Sequence, residues 1–183
     1  MPAVLLMVHA DHVRLLRKGV AGPGVWADFG SGDGAFTLAL AELIVPSGEI
    51  HSIDRDRNAL ARQRKSVTLQ FPDVKLFTYE ADFTEPLALP QLDGLVVANA
   101  LHYLPRKDET VRRLRDYLRP GGCFLVVEYD TDVGNRWVPY AFSFKRWRII
   151  AGRCGLAQPE LLATAPSSFL GSFYSAISRT NLG

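Results

Sequence analysis

The chain has 183 residues, of which 48% are hydrophobic and 22% are charged. This length fits one domain, and this balance is that of a folded globular protein rather than a disordered or membrane-spanning one. The formal net charge of +2 is too small a bias to indicate a nucleic-acid partner. We therefore expect a single domain over residues 1–183.

The N-terminal segment and the two cysteines indicate neither an export signal nor a metal site. The apolar stretch PAVLLMVHA has no basic region before it and is shorter than the roughly 20 residues of a membrane span. We expect residues 1–24 to form a helical segment before a core of residues 25–183, in a cytoplasmic protein without a membrane span. Cys123 and Cys154 lack C-x-x-C spacing, so we expect two buried thiols and no metal.

Short apolar runs alternate with helical patterns along the chain. The apolar runs predict strands over 25–29, 49–54, 74–82, 93–100 and 122–130. The helical patterns cover 37–44, 56–67, 107–118 and 144–154, and a hairpin around 166–168 ends the chain. This alternation predicts βαβ units and a parallel sheet. The two nearly continuous apolar runs predict central strands covered on both faces.

The stretch ADFGSGDGAF, residues 27–36, joins the first predicted strand to the first core helix. Gly30, Gly32 and Ala35 satisfy the dinucleotide pattern G-x-G-x-x-G/A, while Asp28 and Gly34 also make it D-x-G-x-G-x-G. Glycines there let the backbone turn sharply and approach a ligand closely. The spacing therefore predicts a nucleotide site at the edge of the sheet where such folds bind ligands, without choosing the nucleotide.

Acidic residues around this loop favour one kind of nucleotide-containing ligand over another. A carboxylate at Asp28 opposes a pyrophosphate, whereas a ligand carrying an ammonium and a sulfonium tolerates Asp28 and Asp33. Asp54 ends the second strand, where a carboxylate accepts hydrogen bonds from both hydroxyls of an adenosine ribose. Asp54 fits NAD and S-adenosylmethionine equally, so the preference for S-adenosylmethionine depends on the loop acids.

Five segments occur in the order and spacing of one known family. They read ADFGSGDG, IHSID, EADF, LDGLVVANALHYL and LRPGGCFLVVE. With them the chain resembles the class I, Rossmann-like S-adenosylmethionine-dependent methyltransferases from about Val25 to Arg179. The resemblance implies a single-domain α/β fold: a mostly parallel seven-stranded sheet, helices on both faces, and an antiparallel C-terminal strand within residues 169–178.

The resemblance also implies which residues hold S-adenosylmethionine. The loop after the first strand would line the methionine end, Asp54 would bind the ribose, and Asp82 with Phe83 would hold the adenine. The backbone at the end of the fourth strand would close the methionine side. The complete cofactor set is Asp28, Phe29, Gly30, Ser31, Gly32, Asp54, Arg55, Asp82, Phe83, Asn99 and Ala100.

A base is needed in such a reaction only when the acceptor is protonated, because positioning alone supplies much of the rate. The candidates near the ends of the fourth and fifth strands are His102, Tyr103, Glu128, Tyr129 and Asp130. We select His102 because it follows the fourth strand directly and histidines change charge near neutral pH. A histidine that packs or caps is the competing and more common interpretation.

Aromatic residues near these strand ends are candidates for the acceptor pocket. We assign Tyr103, Tyr129, Trp137 and Tyr140 to it, because Trp137 and Tyr140 precede the helical stripe. Phe144 begins that stripe, and we assign it with Trp147 to packing.

The acceptor class is inferred mainly from absent features. The sequence Asn99-Ala100-Leu101-His102 lacks the Asn-Pro-Pro-aromatic motif of many methyltransferases that act on nucleobases or glutamine amides. The basic cluster within residues 55–65 can contact phosphate or form a solvated helix face. A small-molecule acceptor is favoured over RNA or protein.

Two further alternatives to a methyltransferase remain open. The glycine pattern also allows an NAD-dependent oxidoreductase, although no substrate domain or catalytic Tyr/Lys pair is visible. A non-catalytic partner that binds S-adenosylmethionine is the other alternative, because catalysis here requires no diagnostic residue. The oligomeric state is left open.

Overall fold

The computed structural model describes residues 7–181, which form one seven-stranded sheet with helices on both faces. Its elements in chain order are α1 (His9–Leu16), β1 (Val25–Phe29), α2 (Ala35–Ile44), β2 (Glu49–Asp54), α3 (Arg57–Gln70), β3 (Lys75–Glu80), β4 (Leu92–Ala98), a 3-10 turn (Leu101–Tyr103), α4 (Asp108–Asp116), β5 (Leu118–Tyr129), α5 (Phe144–Arg153), β6 (Glu160–Ser167) and β7 (Gly171–Arg179). The strand order is β3-β2-β1-β4-β5-β7-β6. Strands β1 to β5 run parallel, and β7 runs antiparallel to both of its neighbours. The predicted fold class is confirmed.

Alternate residues of the central strands pack into two separate cores. Trp26, Val96 and Leu125 face the side covered by helices α1 to α3. Ala27 and Val97 face the opposite side, which α4 and α5 cover. Both faces of β4 and β5 are therefore buried, which explains their continuous apolar sequences.

Local sequence signals set the ends of α3 and α5. The Asp56 side chain accepts hydrogen bonds from the backbone N–H groups of Asn58 and Ala59, so Asp56 is the predicted N-cap of α3. Helix α5 ends just before Gly155, whose φ of 76° is in the left-handed region that favours glycine. Trp147 on α5 is fully buried, as the helical stripe predicted.

The boundary between α4 and β5 differs from the prediction. The helix expected over 107–118 ends at Asp116, and the strand expected from residue 122 begins at Leu118. Leu118 pairs with Leu92 of β4, and regular pairing resumes only at Cys123 with Gly94. The intervening residues 119–122 form an irregularity within the strand, so the Pro-Gly-Gly sequence interrupts the pairing without ending β5.

The two ends of the chain form a C-terminal hairpin and an N-terminal helix. Strands β6 and β7 form the predicted C-terminal hairpin, with its turn at 168–170. In the N-terminal segment, α1 supports the predicted helix, whereas residues 1–6 of that prediction lie outside the described part of the chain. None of the helices within residues 7–181 is long and apolar enough to cross a membrane.

Candidate cofactor and active site

A cavity of about 380 Å³ opens at the carboxyl ends of the parallel strands. It is next to β1, which pairs with β2 on one side and with β4 on the other, the position where open α/β sheets bind ligands. Its lining residues are Gly30, Gly32, Asp54, Arg55, Asp82, Phe83, Thr84, Asn99, Ala100, Tyr103 and Leu104. The structure thus brings together the predicted cofactor residues other than Asp28, Phe29 and Ser31. We call this space the cofactor cavity.

The glycine loop follows β1 and forms one wall of the cofactor cavity. Gly30, Gly32 and Gly34 have φ angles of 73°, 53° and 86°, which are accessible mainly to glycine. A Cβ atom on Gly30 would lie 2.7 Å from the Cβ atom of Ala100. A Cβ atom on Gly32 would meet nothing within 4 Å, so the backbone there faces open space in which a ligand can approach it.

Asp28 lies beneath the glycine loop rather than in the wall of the cofactor cavity. It is 1% exposed, and its carboxylate accepts a 2.6 Å hydrogen bond from the Thr37 hydroxyl. The pKa of Asp28 is raised to about 7, mainly by burial and to a smaller extent by the nearby Asp54, while the Thr37 hydrogen bond opposes the shift. The carboxyl therefore holds a proton to higher pH than an exposed aspartate does, which weakens the argument from its negative charge.

The other two predicted residues outside the cavity wall also have structural contacts. Phe29 is fully buried in the core beneath α4 and α5. The hydroxyl of Ser31 accepts a hydrogen bond from the Gln63 side-chain amide and lies 2.7 Å from the hydroxyl oxygen of Ser52. Their contacts with a cofactor stay predictions.

Two acids at successive strand ends face the cofactor cavity. One oxygen of Asp54 accepts a 2.7 Å hydrogen bond from the Gly32 N–H, and the other accepts a 2.8 Å bond from the Asp56 N–H. Asp82 accepts bonds from the N–H and the hydroxyl of Thr84 and forms an ion pair with Arg55. These bonds fix both carboxylates. Each Asp54 oxygen and the Asp82 oxygen paired with Arg55 keep one of their two lone-pair sites for a ligand.

Gln63 on α3 is a supporting residue that the sequence reasoning missed. Its side chain is 1% exposed and donates to the Ser31 hydroxyl at 2.9 Å and to the Gly32 carbonyl at 3.0 Å. Its amide oxygen accepts from the Ser52 hydroxyl at 2.7 Å. The sequence signal was a polar residue in the buried stripe of an amphipathic helix, between Leu60 and Val67.

His102 and Glu128 form a buried pair at the ends of β4 and β5. The His102 Nδ1 atom lies 2.7 Å from a Glu128 carboxylate oxygen, and the His102 backbone N–H donates to the other oxygen at 3.2 Å. The two residues are 2% and 1% exposed. The His102 Nε2 atom is buried and has no hydrogen-bond partner among residues 7–181.

Aromatic residues surround this pair. The ring of Tyr103 lies 4.3 Å from the His102 ring between centroids, and the ring of Tyr129 lies 6.1 Å away. Tyr103 is 60% exposed and lines the cofactor cavity, whereas His102 and Tyr129 do not line it. The Tyr140 N–H donates to the His102 carbonyl. Trp137 is exposed, stacks on Arg136 and lines neither the cofactor cavity nor the second cavity described below.

A second cavity, of about 700 Å³, is lined by residues that directly follow those of the cofactor cavity in the chain. Tyr103 and Leu104 line the cofactor cavity, and the next four residues, 105–108, line the second one. Its other walls come from the segment before α5, including Tyr140, and from α5 itself. We call this space the second cavity.

The strand order, the glycine loop after β1 and the acids after β2 and β3 define the class I, Rossmann-like S-adenosylmethionine-dependent methyltransferases. The family model described as "Methyltransferase domain" matches residues 27–124. The chain therefore belongs to the methyltransferase domain family.

Individual relatives are distant in sequence. The ubiquinone/menaquinone biosynthesis C-methyltransferase UbiE of Pseudomonas paraeruginosa is 30% identical over 122 residues, which are 63% of this chain and 47% of that protein. The chain thus spans about half the length of this curated relative.

Solved structures share the fold at low sequence identity. The YcgJ protein of Bacillus subtilis is 12% identical with a TM-score of 0.74, covering 96% of this chain and 100% of its own. The 1,6-didemethyltoxoflavin-N1-methyltransferase of Burkholderia thailandensis, solved with its substrate and S-adenosylhomocysteine bound, is 16% identical. Its TM-score is 0.72, covering 94% of this chain and 78% of its own.

Proposed function

We propose that the protein transfers a methyl group from S-adenosylmethionine to a small-molecule acceptor whose reacting atom loses a proton. The observation that carries this proposal is the cofactor cavity with a buried His102–Glu128 pair beside it. Bound S-adenosylmethionine supplies an activated methyl group on a sulfonium, and the protein supplies position and a proton acceptor.

The donors and acceptors of the cofactor cavity fit this cofactor. Asp54 would bind the ribose hydroxyls, and Asp82 would accept from the adenine amino group beside Phe83. Asn99 has a φ of 52°, and its side-chain oxygen is buried without a partner among the described residues. That oxygen would accept a hydrogen bond from the ammonium group at the methionine end, because a buried acceptor left unpaired is costly.

The His102–Glu128 pair supports a role for His102 as the general base. With Nδ1–H donating to the carboxylate, the lone pair of Nε2 is free to accept a proton, and Glu128 stabilises the imidazolium that results. Rotation of the exposed Tyr103 ring would open a path to Nε2. Glu128 acts through His102, as a positioning residue.

This arrangement favours an acceptor with an acidic C–H beside a carbonyl group, or an acidic hydroxyl. As His102 removes the proton, the electron pair of the broken C–H or O–H bond forms the new bond to the methyl carbon, and the electron pair of the S–CH3 bond would stay with the sulfur of the cofactor. The UbiE relative is named as a C-methyltransferase, which supports carbon as the methylated atom. Tyr103, Tyr129 and Tyr140 would line the acceptor site, and exposed Trp137 would contribute only if its loop closed over it.

Calorimetry with S-adenosylmethionine, S-adenosylhomocysteine and NAD tests the cofactor. We expect both sulfur compounds to bind and NAD to bind more weakly or not at all; selective binding of NAD would overturn the proposal. A screen for transfer of a tritiated methyl group to 1,3-dicarbonyl compounds and phenols tests the reaction. A cytoplasmic location and a single domain over 1–183 stay predictions from the sequence.

A further inference from the structure

The second cavity has more cationic than acidic groups in its walls. It is lined by Pro105, Arg106, Lys107, Asp108, Asp132, Pro139, Tyr140, Ala141, Phe142, Arg146, Ile149, Ile150 and Arg153. Both of its acids already have partners: Asp132 lies 3.1 Å from Arg146, and Asp108 lies 2.9 Å from Arg153. Arg106 and Lys107 are left without a carboxylate partner among the described residues.

Lys107 is the unusual group in this cavity. It is 7% exposed, and within residues 7–181 its Nζ atom makes one hydrogen bond, at 2.8 Å, to the carbonyl oxygen of Leu104. An ammonium group has three N–H donors, so its hydrogen-bonding capacity is only partly used. Burial lowers the pKa of Lys107, as does the nearby Arg146, while the charges of Glu128 and Asp108 oppose the shift. No carboxylate of the described residues lies within ion-pair distance of Lys107, so an anionic ligand in direct contact would stabilise this buried cation.

The remaining walls suit the organic part of such a ligand. The Lys107 Nζ atom lies 4.9 Å from the centre of the Phe142 ring and 5.8 Å from that of Tyr140. Proline, alanine and isoleucine side chains complete the apolar surface. A volume of about 700 Å³ is in the range of small-molecule sites. The cavity is also beside the base proposed above, since the Tyr140 N–H bonds to the His102 carbonyl.

We propose that the second cavity binds the anionic group, a carboxylate or a phosphate, of the methyl acceptor through Lys107 and Arg106. The apolar part of the acceptor would pack against Phe142 and Tyr140. That the bound anion is the methyl acceptor rests on the proposed function, whereas anion binding by the cavity does not.

Three naphthalene compounds of similar size test the charge preference. Titrations of the full chain with 2-naphthoate, 2-naphthyl phosphate and neutral 2-naphthamide give the three dissociation constants. We expect at least one anion to bind about tenfold more tightly than the amide, the preference expected of a charged hydrogen bond. Comparison of the two anions distinguishes a carboxylate from a phosphate ligand. Equal binding of the amide and both anions would overturn the proposal.

Three variants assign the preference to the cavity. Lys107→Met removes the buried charge with little change in size and should abolish the preference for the anion. Lys145→Met removes the same charge from an exposed position on α5 outside the cavity and should leave it intact. Arg106→Gln alters an exposed side chain, so it remains informative if Lys107→Met fails to fold; it should weaken anion binding at least threefold. Loss of the preference in Lys145→Met, or its survival in both cavity variants, would contradict the assignment.

Calorimetry with S-adenosylhomocysteine separates this proposal from the proposed function. We expect Lys107→Met to bind S-adenosylhomocysteine as tightly as the unmodified chain does. Failure of the unmodified chain to bind it would overturn the proposed function and leave the result on anions standing. Binding of S-adenosylhomocysteine without any anion preference would overturn only the second-cavity proposal.

Discussion

Asp54 connects the glycine loop to the proposed ribose site through a single carboxylate. Its two oxygens accept from Gly32 and Asp56, and both keep lone pairs for ribose hydroxyls. We predict that Asp54→Ala weakens S-adenosylhomocysteine binding by about 1.5–3 kcal/mol, the loss expected for hydrogen bonds to a charged group. Calorimetry measures this change directly. Asp33→Ala, an exposed acid of the same loop, is the matched control and should leave the affinity unchanged.

Asp28 makes the stability of the protein depend on pH. The pKa of its carboxyl is about 7 in the folded chain, against an ordinary value of 3.8. The folded state therefore keeps a proton that the unfolded state releases between about pH 4 and pH 7. Because the unfolded state binds fewer protons in this window, the contribution of Asp28 to the free energy of unfolding falls as the pH rises and levels off above about 7.

Asp28→Asn tests this dependence, because the amide oxygen can still accept from Thr37 without a charge. We predict that Asp28→Asn gains stability relative to the unmodified chain as the pH rises. The difference in the free energy of unfolding, variant minus unmodified chain, should be higher at pH 7.5 than at pH 5 by roughly 2 kcal/mol. Urea unfolding at the two pH values measures it. The exposed Asp33→Asn should have the same free energy of unfolding, relative to the unmodified chain, at both pH values. If the relative free energy of unfolding of Asp28→Asn did not change with pH, the argument would be refuted.

Among the elements, α3 determines the shape of the glycine loop. Gln63 bonds to the Ser31 hydroxyl and the Gly32 carbonyl, and Arg62 on the same helix pairs with Asp33 of that loop. The Gln63 contacts are buried, whereas the Arg62–Asp33 ion pair is on the surface and contributes little to stability. The loop therefore depends on Gln63 more than on the ion pair.

We predict that Gln63→Leu lowers the free energy of unfolding by about 1–3 kcal/mol, because it leaves buried polar atoms unpaired. It should also weaken S-adenosylhomocysteine binding, although the proposed ligand site does not include Gln63. Arg62→Ala is the comparison and should change stability much less, because its ion pair with Asp33 is exposed to solvent. Urea unfolding and calorimetry check both; a similar effect of the two variants would show that the loop does not depend on buried hydrogen bonds.

At the scale of the whole molecule, the sequence predicted the features that depend on local patterns. The central strands, the cap at Asp56 and the glycine loop follow from periodicity and residue type. The start of β5 at Leu118 was missed because it depends on pairing with Leu92 across the sheet. The second cavity was missed for a similar reason, since segments around residues 105 and 140 meet only after the chain has folded. The roles of the predicted cofactor and acceptor residues stay predictions.

The His102–Glu128 pair is a product of the sheet topology. Strands β4 and β5 are parallel neighbours, so their carboxyl ends bring together residues 26 positions apart in the chain. We predict that His102→Ala lowers turnover about 100-fold or more while S-adenosylhomocysteine still binds, as expected for loss of a general base. Glu128→Gln keeps the shape of the side chain but cannot stabilise an imidazolium, so it should lower kcat with little change in KM.

Combining the two substitutions distinguishes the proposed relation from two independent structural effects. If Glu128 acts only through His102, then His102→Ala with Glu128→Gln is no slower than His102→Ala alone, because residues that act as a unit are not additive. Initial rates of tritiated methyl transfer at saturating cofactor measure all three variants, with His12→Ala on α1 as the histidine control. Multiplicative losses in the double variant would assign Glu128 a separate role, and full turnover in His102→Ala would remove His102 from the mechanism.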